Sequence, residues 1–161
     1  METNNSSNIY LDKKLYLDIL FHVAIIMIYN VLSGYLVNHY TSETLADQNK
    51  VPINIISFIL GGFLFPLIET AVFQLLPFSI LSIMNVDDRR IIFISGLLFG
   101  LSHFFSPAYM IVTFFAGSYF SWLFIRYQKK IDIKSAFYIV FIVHSLMNTI
   151  VFGLKAYKHF F

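Results

Sequence analysis

The sequence contains no cysteine, which excludes disulfides and thiolate metal sites and leaves the compartment open. Charge is scarce as well. Asp, Glu, Lys and Arg make up 12% of the 161 residues, against the ~25% usual in soluble domains. The formal net charge is only +2, and the basic residues sit at the ends of apolar runs rather than in a stripe, so no nucleic acid is expected as a partner. No H-E-x-x-H zinc signature occurs. No cleavable leader is expected either, because residues 1–14 are polar and the first apolar run, about 23 residues, is too long for a signal core.

What is abundant is apolar surface, with 58% hydrophobic and 19% aromatic residues. This composition predicts an all-α, polytopic membrane helical bundle of about five transmembrane helices, each near the ~20 residues that a ~30 Å hydrocarbon core requires. A polar tail over 1–14 is expected to fray. A single transmembrane domain follows over 15–154, and a short amphipathic end over 155–161. The predicted spans run from about Leu15 to Val37, Ile53 to Ile80, Ile91 to at least Phe105, Ala108 to Ile125 and Ser135 to Leu154. A polar loop closed by Pro52 joins the first two.

The second span is longer than a bilayer needs and holds Gly61, Gly62, Pro66 and Pro77, so it is predicted to be kinked or broken. Gly96 and Gly100 form a G-x-x-x-G face on the third span, and Gly117, Ser118 and Ser121 form a second small-residue face on the fourth. Such faces let helices approach closely. Asp18 and His22, one turn apart at the start of the first span, read as an interfacial pair.

Charge asymmetry predicts the orientation. With the N-terminus inside, the inner segments carry Lys13, Lys14, Arg89, Arg90, Arg126, Lys129, Lys130 and Lys134, while the outer ones carry only Lys50, Lys155 and Lys158. The bias places the tail in the cytoplasm. The sequon Asn5-Ser6-Ser7 in that tail is then a chance match.

Against this apolar background a few polar residues stand deep in the spans. Glu69 lies near the middle of one, where an acidic group costs ~3 kcal/mol on insertion scales. At ~1.5 Å per residue, Glu69, His103 and His144 lie ~17, ~18 and ~14 Å from the inner ends of their spans. Three helices thus bring Glu, His and His to one level. His144 and Asn148 are four apart and share a face, Phe99 lies one turn before His103, and Thr70 and Gln74 share a face beside Glu69. A buried carboxyl drifts toward a neutral pKa and can serve as a base, and nearby donors can stabilise an oxyanion. The same donors are also compatible with zinc held by Glu69, His103 and His144, or with an ion or proton relay.

ETAVFQ at 69–74, FGLSH at 99–103 and HSLMN at 144–148 resemble, in order, the EExxxR, FxxxH and HxxxN motifs of the CPBP intramembrane proteases. That family includes the type II CAAX prenyl proteases and bacteriocin self-immunity proteins. The resemblance covers 69–148. It implies an intramembrane endopeptidase without a metal cofactor, acting on a membrane-associated peptide or protein. Glu69 would activate the water, His103 would help to hold it, and His144 and Asn148 would stabilise the oxyanion. Thr70 and Gln74 stand where the family usually has Glu and Arg, and a neutral hydrogen bond between them is expected to replace the ion pair. The same departure favours the alternative, a non-catalytic member acting in bacteriocin immunity or as a membrane-protein partner. The Asn-, Ile-, Lys- and Phe-rich composition points to an AT-rich bacterial genome and the bacterial inner membrane, and away from processing of prenylated CAAX proteins.

Overall fold

A computed structural model describes residues 5–40 and 52–160, with side chains over 13–40 and 52–158. Most of the expected polar loop (38–52) therefore lies outside the described residues. Five helical rods make up the described chain. They are α1 (Asn5–Tyr40), α2 (Ile55–Ile83), α3 (Asp88–Ser102), α4 (Pro107–Lys130) and α5 (Ile133–Phe160). Four of them, all except α3, are long and apolar enough to cross a membrane. α1 is already helical at Asn5, inside the segment expected to fray.

The starts of α2 to α5 each carry their own signal. Asn54, Asp87 and Ser106 accept hydrogen bonds from Ser57 N, Arg90 N and Tyr109 N, and Asp132 does the same for Ser135 N. Such side chains satisfy donors that have no partner within the helix. α2 ends with Asn85 in the left-handed region at φ 56. Val86 N bonds Leu81 O and Asn85 N bonds Ser82 O, the paired bonds of a Schellman stop.

α2 is the irregular rod that its Gly and Pro content predicts. Three α segments, Ile55–Ile59, Phe65–Thr70 and Leu76–Ile83, are separated by π turns at Leu60–Leu64 and Ala71–Leu75. The residue before each proline donates five residues back, Phe65 to Leu60 O and Leu76 to Ala71 O. Each proline lacks the N–H that would continue an α ladder, and each π turn absorbs the break.

The third helix is shorter than expected: it stops at Ser102, and His103 leaves the helical region at φ −104, ψ 48. Ser102 Oγ and His103 Nδ1 both bond Phe99 O, at 2.8 and 2.7 Å. Side chains thus take a carbonyl that a further turn would need. Pro107 then opens α4, so the chain turns back after Ser102 rather than running on to Phe105.

α4 is central. Phe120, Leu123, Phe124 and Tyr127 are buried along it, and Ala136, Ile139, Val140 and Val143 along α5, at helical spacing on one face of each. Leu17, Leu20, Ile55, Ile56, Phe104 and Ile111 face outward. Lipid is as apolar as these side chains, so the bundle is held by close packing and interior hydrogen bonds rather than by hydrophobic burial.

Candidate active site

Glu69 projects from the α segment between the two π turns of α2. Its Oε2 lies 3.4 Å from His144 Nε2 and its Oε1 3.9 Å from His103 Nε2. The three residues that the depth argument puts at one level therefore meet around one carboxyl group. Glu69 keeps 23% of its side-chain surface exposed and His144 only 3%, so the site opens at the carboxylate and is closed behind His144.

The two histidines are held differently. His103 Nδ1 bonds Phe99 O at 2.7 Å, which puts a proton on Nδ1 and, in the neutral ring, leaves Nε2 as an acceptor. His144 is stacked on Phe120, with centroids 4.5 Å apart and planes inclined by 27°. Its Nδ1 has no hydrogen-bond partner among the described residues. Phe99 stands between the two, 4.6 Å from the His103 ring and 5.9 Å from the His144 ring. Tyr109 meets His103 edge-on at 5.5 Å. Sequence reasoning missed Phe120 and Tyr109, because aromatics are too frequent here for any one to stand out.

The remaining expected residues are placed otherwise. Asn148 Nδ2 bonds Gly61 O at 3.0 Å, one turn along α5 from His144. Thr70 and Gln74 are fully buried beside Glu69, but no hydrogen bond joins them: Thr70 Oγ1 and both amide atoms of Gln74 lack partners among the described residues. The π turn at Ala71–Leu75 widens the helix between the two side chains, and they do not meet. Asp18 and His22 lie 3.8 Å apart, and His22 is buried in the bundle, with Nδ1 2.6 Å from Tyr119 OH. Tyr127 OH and Lys130 close the other side of Asp18.

Two imidazoles and a carboxylate are zinc-type donors. Even so, among the described residues no three or more His, Cys, Asp or Glu side chains are disposed to hold a metal ion. What the arrangement offers is the Glu69 carboxyl, one imidazole anchored through Nδ1 and one buried imidazole whose Nε2 faces that carboxyl.

No curated protein and no solved structure matches the chain. A family model for the Rce1-like type II CAAX prenyl endopeptidases matches residues 51–150, more than half of the chain. That range includes Glu69, His103, His144 and Asn148 and leaves out α1. With four apolar rods of membrane-spanning length, this chain is an integral membrane protein that belongs to the Rce1-like type II CAAX prenyl endopeptidase family.

Proposed function

We propose that the protein is a glutamate-dependent intramembrane endopeptidase, and the observation that carries this is Glu69 set between His103 and His144. A water between Glu69 Oε1 and His103 Nε2 has an acceptor for each of its protons, which leaves an oxygen lone pair free to attack. Glu69 takes one proton as the water oxygen bonds to the scissile carbonyl carbon. His144 Nε2–H and the second amide hydrogen of Asn148 stabilise the oxyanion. Collapse breaks the C–N bond, and Glu69 returns its proton to the leaving amine. The net change is one water added across one peptide bond, with no step that needs a metal.

The substrate class is a membrane-associated peptide or protein, because the site opens on a bundle whose exterior is apolar. Ion pairs Asp88–Lys129 and Asp18–Lys130 bring the start of α3, the end of α4 and the turn of α1 around Asp18 together. That gathers most of the inner basic residues at one end and supports a cytoplasmic N-terminus in a bacterial inner membrane.

The test is cleavage of a membrane-embedded reporter peptide by purified protein, wild type against Glu69→Gln. Gln keeps the shape and cannot act as base, so cleavage should stop while the protein stays folded. Chelators should leave the wild-type rate unchanged. Undiminished cleavage by Glu69→Gln would sink the reading. It would leave the non-catalytic immunity or partner role, which the Thr70 and Gln74 departure favours.

A further inference from the structure

The irregularity of α2 creates a need that α5 meets. In a helix, the carbonyl of residue i is taken by the N–H of residue i+4, or i+5 in a π turn. For Gly62 the i+4 position is Pro66, which has no N–H. For Gly61 the i+4 donor is Phe65, already given to Leu60 O, and the i+5 position is again Pro66. Both carbonyls thus lose their i+4 donor inside a membrane rod, where unpaired backbone groups are costly. Ser145 Oγ donates to Gly62 O, and Asn148 Nδ2 donates to Gly61 O at 3.0 Å. Thr149 lies alongside, with Oγ1 only 3.0 Å from where a Cβ on residue 62 would stand, so a glycine there is what lets α5 come this close.

This contact lies next to the site on both helices. Ser145 follows His144 directly, and Glu69 stands one turn after Pro66. We infer that Ser145 and Asn148 are positioning residues: by capping the two carbonyls that lose their i+4 donor, they lock the register of α2 on α5 and so set Glu69 against His144. The duty of Asn148 toward Gly61 is additional to its oxyanion role. The structural part stands alone, and the catalytic consequence rests on the proteolytic reading above.

A double-mutant cycle between Pro66→Ala and Ser145→Ala in the full-length detergent-solubilised protein tests the inference. Pro66→Ala restores a backbone donor to α2, so Ser145 should become dispensable. Two readouts are independent of proteolysis: the melting temperature, and the rate at which dicyclohexylcarbodiimide modifies Glu69, followed by mass spectrometry. Ser145→Ala alone should lower Tm by about 3 °C or more. It should also change the labelling rate roughly tenfold, the equivalent of one lost hydrogen bond. In the Pro66→Ala background both effects should vanish, and Ser145→Thr, which keeps the hydroxyl, should behave as wild type. Equal losses in both backgrounds would overturn the inference. Should Pro66→Ala not fold, Ser145→Thr matching Ser145→Ala would overturn it alone, and a wild-type-like Ser145→Thr would uphold it. If the wild type cleaves nothing, the proteolytic reading fails while these two readouts still decide the clamp.

Discussion

Phe99 fills the notch left by Gly117. A Cβ on residue 117 would lie 2.8 Å from Phe99 Cγ, closer than real side-chain contacts allow. The small-residue faces of α3 and α4 mesh in the same way: a Cβ on Gly96 would lie 2.8 Å from Phe114 O, and one on Gly100 2.8 Å from Met110 O. Because Phe99 also touches the rings of both histidines, this meshing reaches the site directly.

The seven glycines should therefore separate by context. Gly34→Ala and Gly153→Ala place a methyl in open space and should stabilise by up to ~1 kcal/mol, because Ala is the better helix former. Gly100→Ala and Gly117→Ala should destabilise by about 1–3 kcal/mol through overpacking against backbone and ring. Thermal melts in detergent measure both. Equal shifts at Gly34 and Gly117 would show that α3 and α4 are not in this contact.

Much of this was legible in the sequence because it depends on length, spacing and missing donors. Apolar run lengths give the rods, and Pro66, Pro77, Gly61 and Gly62 foretell the broken α2. The ~1.5 Å rise per residue puts Glu69, His103 and His144 at one level. What was not legible depends on which distant side chain arrives. His22 finds Tyr119 and Asp18 finds Tyr127, 97 and 109 residues away, and nothing local marks either tyrosine. The stop at Ser102 depends on His103 folding back onto Phe99 O. The need at Gly61 and Gly62 follows from Pro66, but the sequence does not say that Ser145 supplies the donor.

Gln74 should be a stability liability. Its amide is fully buried and neither amide atom is hydrogen-bonded among the described residues, a situation that costs about 1–3 kcal/mol. Gln74→Leu is expected to raise Tm by several degrees, and a fall in Tm would show that the amide is paired in the membrane. If cleavage drops while Tm rises, the amide is retained for function at the expense of stability.

Asp132 gives a pH dependence outside the spans. Bonds from the Ser135 backbone N–H, at 2.8 Å, and from the Ser135 hydroxyl hold its carboxyl below the usual Asp range. A folded-state pKa below the unfolded one means stability that is present above the unfolded value near 3.8 and lost as pH falls through the folded one. Asp132→Ala should lower Tm at pH 7 and leave it unchanged at the lowest pH the protein tolerates. A pH-independent difference between the two proteins would contradict the capping role.

Orientation is tested by fusions after Asp88 and Lys158. With five crossings and a cytoplasmic N-terminus, a phosphatase active only outside should be silent after Asp88 and active after Lys158, as the basic-residue bias requires. The same state at both positions would remove one crossing, and α3, with 15 residues or ~22 Å, would be the one to reconsider.

The last expectation concerns how the site residues combine. Glu69 as base and His103 as second acceptor hold the same water, and His144 acts on the charge that this water creates. Removing any one should therefore disable the others' contribution, as it does where residues act as a unit. His103→Ala and His144→Ala should each lower kcat by ~10² or more. Glu69→Gln combined with His144→Ala should be no slower than Glu69→Gln alone. The opposite result, losses in kcat/KM that multiply, would mean that His144 acts independently of the carboxylate 3.4 Å away, for instance by binding substrate. KM would then rise in His144→Ala while kcat held, so rates measured across a range of reporter-peptide concentrations decide between the two.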